Sequence, residues 1–242
     1  MKIANNVFAI MGLTYSHPSG VNAGFIVSGG DIVYIDTGWT IGSAQTIMGY
    51  SKAAAPLSAP HTVFFTDKHL DCISGMSVFK EAGARLAGHP NLDLLLNADL
   101  ILSYHNMMPT LFPENPDESE IAFKDVELHP LDLLIDDERT LLVGETEFRL
   151  IPVTGHSNAG LAIYLPQTKI LFAGDIVASE YQPDTRYGDI NMWKSWIKSL
   201  EELDQLEIDR IVPGHGRICG KSEIRRNIDC LSKVITETDM GR

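Results

Sequence analysis

Short apolar runs separated by turn residues set the rhythm of the chain. Residues 7–12, 22–28 and 31–36 read as strands, with Gly29-Gly30-Asp31 turning between the last two. A helix is predicted over Ala44–Lys52, then a buried strand over Val63–Thr66 and a helix over Leu70–Ala82 that ends near Gly83. The second half repeats this grammar. Strands Leu141–Val143 and Phe148–Val153 flank Gly144-Glu145-Thr146, and Leu161–Leu165 and Ile170–Phe172 flank Pro166-Gln167-Thr168. Residues 194–206 put Trp196, Leu200, Leu203 and Leu206 on one helical stripe. Ile211-Val212 is a further buried strand, and Glu223–Ile235 a closing helix. Strands with intervening helices in both halves predict an α/β fold in one domain, residues 1–242, with two packed sheets covered by helices. Residues 90–120 break the rhythm with a helical run followed by N-M-M-P-T-L-F-P-E-N-P-D-E. An insertion of this kind is either a lid over a substrate site or an excursion that covers a core edge.

Composition narrows the classes. Of 242 residues 44% are hydrophobic and 21% charged, the balance of a globular protein with a sizeable core. A net charge of −13, with no dense Lys/Arg cluster, argues against nucleic acid and anionic membrane surfaces as partners. No apolar run has the length of a membrane span, and the N-terminus reads as a strand rather than a signal peptide. Three cysteines, Cys72, Cys219 and Cys230, make no disulfide framework. A reducing, cytoplasmic setting, a small-molecule substrate and a homodimer are the matching expectations.

The candidate chemistry lies in four clusters, each at the end of an apolar run. They are D-K-H-L-D-C (67–72), V-T-G-H-S-N-A-G (153–160), L-F-A-G-D (171–175) and V-P-G-H-G (212–216). Each member of the first, Asp67, His69, Asp71 and Cys72, is of a ligand type. Asp67 has a second reading as the cap of the helix that follows, and Cys72 as a small buried hydrophobe. His17, His61, His89 and His129 read as structural or exposed. His105 borders the insertion and is kept as a pocket residue, together with Tyr181 and Arg186. Arg186 either holds an anionic substrate group or pairs with Asp184 or Asp189.

In this order the clusters resemble those of the metallo-β-lactamase-like hydrolases, whose motifs run H-x-H-x-D-H, Gly-His, Gly-Asp and Pro-Gly-His-Gly across a four-layer αββα sandwich. The strand pair N-A-G-F-I-V-S-G-G-D-I-V-Y-I-D-T-G (22–38) and the W-x-x-S-L helix (196–200) extend the resemblance over nearly the whole chain. It implies that His69 and His156 serve one metal site, Asp71 and His215 a second, and that Asp175 bridges them. Asp36 would stand behind the ligands and orient one of them, or cap its own turn. The implied activity is cleavage of a small ester, lactone, thioester or amide by water activated on two divalent ions, with Asp71 or Asp175 as proton acceptor.

Two departures matter. Asp67 replaces the family's first histidine and Cys72 its last. With positions kept, site one is Asp67, His69, His156 and Asp175, and site two is Asp71, Cys72, His215 and Asp175. Zinc suits the second; the carboxylate-rich first also suits iron or manganese. Four anionic ligands neutralise two divalent ions, so water there is acidified less and the pH optimum is expected to rise. Two further readings follow: an iron-dependent sulfur (persulfide) dioxygenase using Asp67, His69 and His156, and a non-catalytic or redox-sensing protein in which oxidation of Cys72 ejects metal.

Overall fold

Alternation along the strands decides the layering. The computed structural model describes residues 1–13, 20–111, 123–186 and 188–240. One sheet has the order β1 (Val7–Leu13), β2 (Val21–Ser28), β3 (Asp31–Ile35), β4 (Ala59–Phe64), β5 (Arg85–Gly88) and β6 (Leu133–Leu134). Its first three strands pair antiparallel, and β3 to β6 pair parallel. The other has the order β11 (Arg210–Pro213), β10 (Ile170–Gly174), β9 (Gly160–Leu165), β8 (Thr146–Val153) and β7 (Arg139–Val143). Only β10 and β11 in it run parallel.

Side chains of successive residues point to opposite faces of a strand. Val33 and Ile35 of β3 accordingly share an inner core with Phe64, Phe148, Leu150, Ile163 and Phe172, drawn from both sheets. Ile32 and Tyr34 face the other way, into a core with α1 (Ile41–Ala54), α2 (Leu70–Ile73) and α3 (Met76–Glu81). On β9, Leu161, Ile163 and Leu165 point inward, while Ala162 and Tyr164 meet α6 (Ile190–Leu203) and α7 (Ser222–Met240). The result is the αββα sandwich. Trp196, Leu200 and Leu203 of the predicted stripe are fully buried against the second sheet. Each such burial stabilises the fold by roughly 1.5–3 kcal/mol.

The departures from the predicted elements have local causes. The single helix expected over Leu70–Ala82 is two, α2 and α3, broken at Ser74-Gly75. A Cβ on Gly75 would run into the Ala44 side chain. The Gly75 N–H donates to the Thr37 hydroxyl at 3.0 Å instead of continuing a helix. The strand expected to reach Thr66 stops at Phe64, because the Thr66 N–H is turned to an Asp36 carboxylate oxygen at 2.8 Å. β5 and β6, four and two residues long, are too short to show alternation. Within the expected insertion lie α4 (Pro90–Asp93) and α5 (Ala98–Leu111); residues 112–120 fall outside the described residues.

Candidate metal centre

Strand ends and the turns after them deliver the polar residues to one rim. Asp67 and His69 follow β4, Asp71 lies in α2, His156 follows β8, Asp175 follows β10, and His215 follows β11. Ligand-type atoms of Asp67, His69, His156 and Asp175 all lie within 4.8 Å of one another, and so do those of Asp71, Asp175 and His215. In the first group the His69 Nδ1 and the His156 Nε2 face each other at 3.3 Å. His69 Nδ1 stands 3.8 Å from both an Asp67 and an Asp175 oxygen. In the second, His215 Nε2 stands 3.0 Å from Asp71 Oδ2 and 3.6 Å from Asp175 Oδ1.

Asp175 divides its carboxylate between the groups. Its Oδ2 turns to His156 at 3.5 Å and to His69, its Oδ1 to His215. The approach of the β11 turn makes this close fit, since a Cβ on Gly214 would run into Asp175 Oδ1. The residues fit a divalent metal pair. The Oδ1 of Asp71, a buried side chain, has no hydrogen-bond partner, and an orphaned buried carboxylate oxygen is costly unless a cation completes it.

The charge balance of the metal-free cluster has the same message. Burial opposes a charged His69, but the Asp67, Asp175 and Asp71 carboxylates outweigh it and raise its pKa to about 9. Burial likewise opposes a charged His215, and Asp175 and Asp71 outweigh it, raising its pKa to about 10. Asp175 is buried too, which favours its neutral form; His215, His69 and His156 nevertheless hold it well below the usual carboxylate range. Protons thus occupy the place that cations fit.

The surroundings orient these ligands. The Gly20 carbonyl is 3.0 Å from His215 Nδ1, which fixes Nδ1–H as the donor and leaves Nε2 for the site. Trp196 presents its ring to the edge of His156 at 5.5 Å between centroids and donates its indole N–H to the Ile176 carbonyl at 2.7 Å.

Asp36 does stand behind the ligands, but it orients none of them directly. Its Oδ1 and Oδ2 accept from the Thr66 N–H and hydroxyl at 2.8 and 2.6 Å, so it fixes the backbone that leads into Asp67. It does so at φ 58°, in the left-handed region that Asp tolerates better than most residues. Burial raises its pKa well above the usual carboxyl value, against the lowering effect of those two bonds.

Cys72 is not among the converging ligands. Adjacent residues of a helix point about 100° apart, so with Asp71 facing the metal groups the Cys72 thiol turns beneath α2. It lies 3.9 Å from the Thr66 hydroxyl, within the apolar core of the first sheet. Burial, reinforced by Asp36 and Asp71, pushes its pKa well above the usual thiol value. Nor does Asp67 cap α2: His69 is the N-cap residue, and Asp67 Oδ1 accepts from the Lys68 N–H at 2.6 Å.

The three expected pocket residues have these contacts among the described residues. His105 sets its ring 6.0 Å from that of Phe123. Arg186 pairs with Asp184, Nη2 to Oδ2 at 2.7 Å. Tyr181 lines a separate cavity beside Gly20 and Gly216. One position before His105 on α5, Tyr104 lies near enough to Asp71 to feel its charge. Burial, then the Asp71 charge, raise its pKa. Its ring packs with Trp39 and Phe123. Tyr104 carries no sequence signal beyond its place in the helical run. Thr66 and Trp196 had one, as neighbours of Asp67 and members of the buried stripe.

Comparisons with known proteins agree with this fold. A family model described as the metallo-beta-lactamase superfamily matches residues 17–215. The alpha subunit of a 2,4-dinitroanisole O-demethylase from Nocardioides sp. is 26% identical over 185 residues, which are 76% of this chain and 49% of that protein. The chain thus spans about half the length of that relative. A type 2 metallo-beta-lactamase of Elizabethkingia meningoseptica is 20% identical over 241 residues, 96% of this chain and 84% of the other. Among solved structures, a metallo-beta-lactamase from Pontibacter korlensis superposes with a TM-score of 0.74 at 20% identity, covering 96% of this chain and 97% of that one. At such identity the structural likeness shows the fold.

Proposed function

The chain belongs to the metallo-beta-lactamase superfamily, and from that premise we propose that it is a binuclear metal-dependent hydrolase of a small ester, lactone, thioester or amide. The observation that carries this reading is the Asp175 carboxylate, one oxygen turned to each ligand group. Asp67, His69 and His156 would hold one ion with it, and Asp71 and His215 the other. Divalent ions in these places supply Lewis-acid polarisation of the scissile group and acidify water. The converging ligands bring three carboxylates rather than four anions, so part of that positive charge stays uncompensated and the expected rise in pH optimum shrinks. Zinc suits both groups, and iron or manganese the first.

The chain's own residues divide the remaining work. Gly20 holds His215 in the tautomer that offers Nε2. Asp71 meets His215 through Oδ2 and keeps a buried, unpartnered Oδ1, which suits it as a proton acceptor. Trp196 packs against His156 and limits water on that side. The net charge of −13 supports a small-molecule partner rather than nucleic acid. The three unpaired cysteines suit a reducing compartment, and a homodimer remains the assembly we propose.

The test is turnover of a panel containing a nitrophenyl ester, a thioester, a lactone, a β-lactam and, because of the demethylase relative, 2,4-dinitroanisole. Activity on at least one member should vanish with chelator, return with zinc, and be absent from Asp71→Ala. Activity that survives both chelator and Asp71→Ala would refute the proposal. A second reading rests on the donor set of the first group, two histidines with a carboxylate, which also suits iron in a persulfide dioxygenase. Oxygen uptake with a persulfide, lost in Asp67→Ala, would favour it. The redox-sensing reading is the less favoured one, since Cys72 belongs to neither ligand group.

A further inference from the structure

A cavity of about 790 Å³ opens behind the turn that carries His215. Its walls include Gly20 and Gly216, which flank that histidine, and none of the converging metal ligands. The wall is built rather than incidental. Asn22, itself buried, donates to the carbonyls of Pro213 and Gly216, both at 2.9 Å, and accepts from the Gly12 N–H at 3.1 Å. This amide ties the end of β1, the start of β2 and the His215 turn into one surface.

The charge of that surface is opposite to the charge of the molecule. In a chain of 19 basic and 32 acidic residues, Lys2, Arg210 and Arg217 border this cavity, and Glu180 is its one acidic residue among the described residues. Glu180 is engaged by the Arg217 Nε at 3.1 Å. Arg210 donates one guanidinium nitrogen to the Ile3 carbonyl, and neither it nor Lys2 has a carboxylate partner among the described residues. The lining also holds apolar side chains, Ile3, Met11 and Ile218 among them. Guanidinium groups beside an apolar wall recognise a planar anion with a hydrocarbon body. We propose that this cavity is a second ligand site, distinct from the metal centre, for a small amphipathic carboxylate. The proposal does not depend on the hydrolase reading.

The test is calorimetric titration of the full chain with octanoate and with octan-1-ol. Octanoate should bind, and octan-1-ol about tenfold or more weaker, since it lacks the charge that the guanidinium groups meet. Arg210→Gln should weaken octanoate about tenfold. Glu180→Gln should tighten it, because Arg217 is released from its partner. Both side chains are at the surface, and unchanged melting temperatures would show that the variants fold. Equal binding of the two probes, or octanoate binding that neither substitution alters, would overturn the proposal. The second outcome would locate the carboxylate on the metal centre instead.

Discussion

Asp175 and Cys72 separate what residue type reveals from what only geometry reveals. The order of Asp67, His69, Asp71, His156, Asp175 and His215 along the chain was legible because each follows an apolar run. Their convergence into two groups, each with its ligand atoms within 4.8 Å of one another, needed nothing beyond the family pattern. Cys72 was not legible. Its type is right for a ligand, but the rotation between neighbouring residues of α2 turns it under the helix. On α5, Tyr104, one position before His105, is buried near enough to Asp71 for its charge to raise the phenol pKa, which residue type alone did not show. A prediction at this scale concerns Asp36. Asp36→Ala leaves the buried Thr66 N–H and hydroxyl without their acceptor and should cost about 1–3 kcal/mol. Denaturant melts of the two proteins would show it, and an unchanged midpoint would contradict the role given to that carboxylate.

At the scale of elements, strands with clear alternation and the amphipathic helix α6 were readable, and short or interrupted elements were not. The break between α2 and α3 depends on how closely α1 approaches Gly75, a tertiary contact that local sequence does not encode. Gly75→Ala should therefore destabilise by about 1–3 kcal/mol through overpacking against Ala44, although alanine is the better helix former. A gain in thermal midpoint would show that α2 and α3 are separated for another reason. In α6, Trp196→Ala removes a fully buried side chain and the edge partner of His156. It should cost about 3–5 kcal/mol, whereas Trp196→Phe should retain most of the packing but lose the indole bond to Ile176.

For the whole molecule, the acid-rich centre makes stability depend on pH and on metal together. In the metal-free chain His69 and His215 have pKa values of about 9 and 10, raised from the usual imidazole value of 6.5. A raised folded-state pKa gives stability that is fully present below 6.5 and is lost as pH rises through 9 and 10. The melting temperature of chelator-treated protein should thus fall between neutral pH and pH of about 10. Protein loaded with zinc, its histidines neutral and coordinated, should show a smaller fall across that range.

The most direct test is metal content by mass spectrometry on the wild type, Cys72→Ala and Asp175→Ala, purified without chelator and dialysed against zinc. Two ions per chain in the wild type and in Cys72→Ala, with both lost from Asp175→Ala, are the result predicted by a carboxylate that serves both ligand groups. An ion lost from Cys72→Ala, or two ions retained by Asp175→Ala, would contradict it.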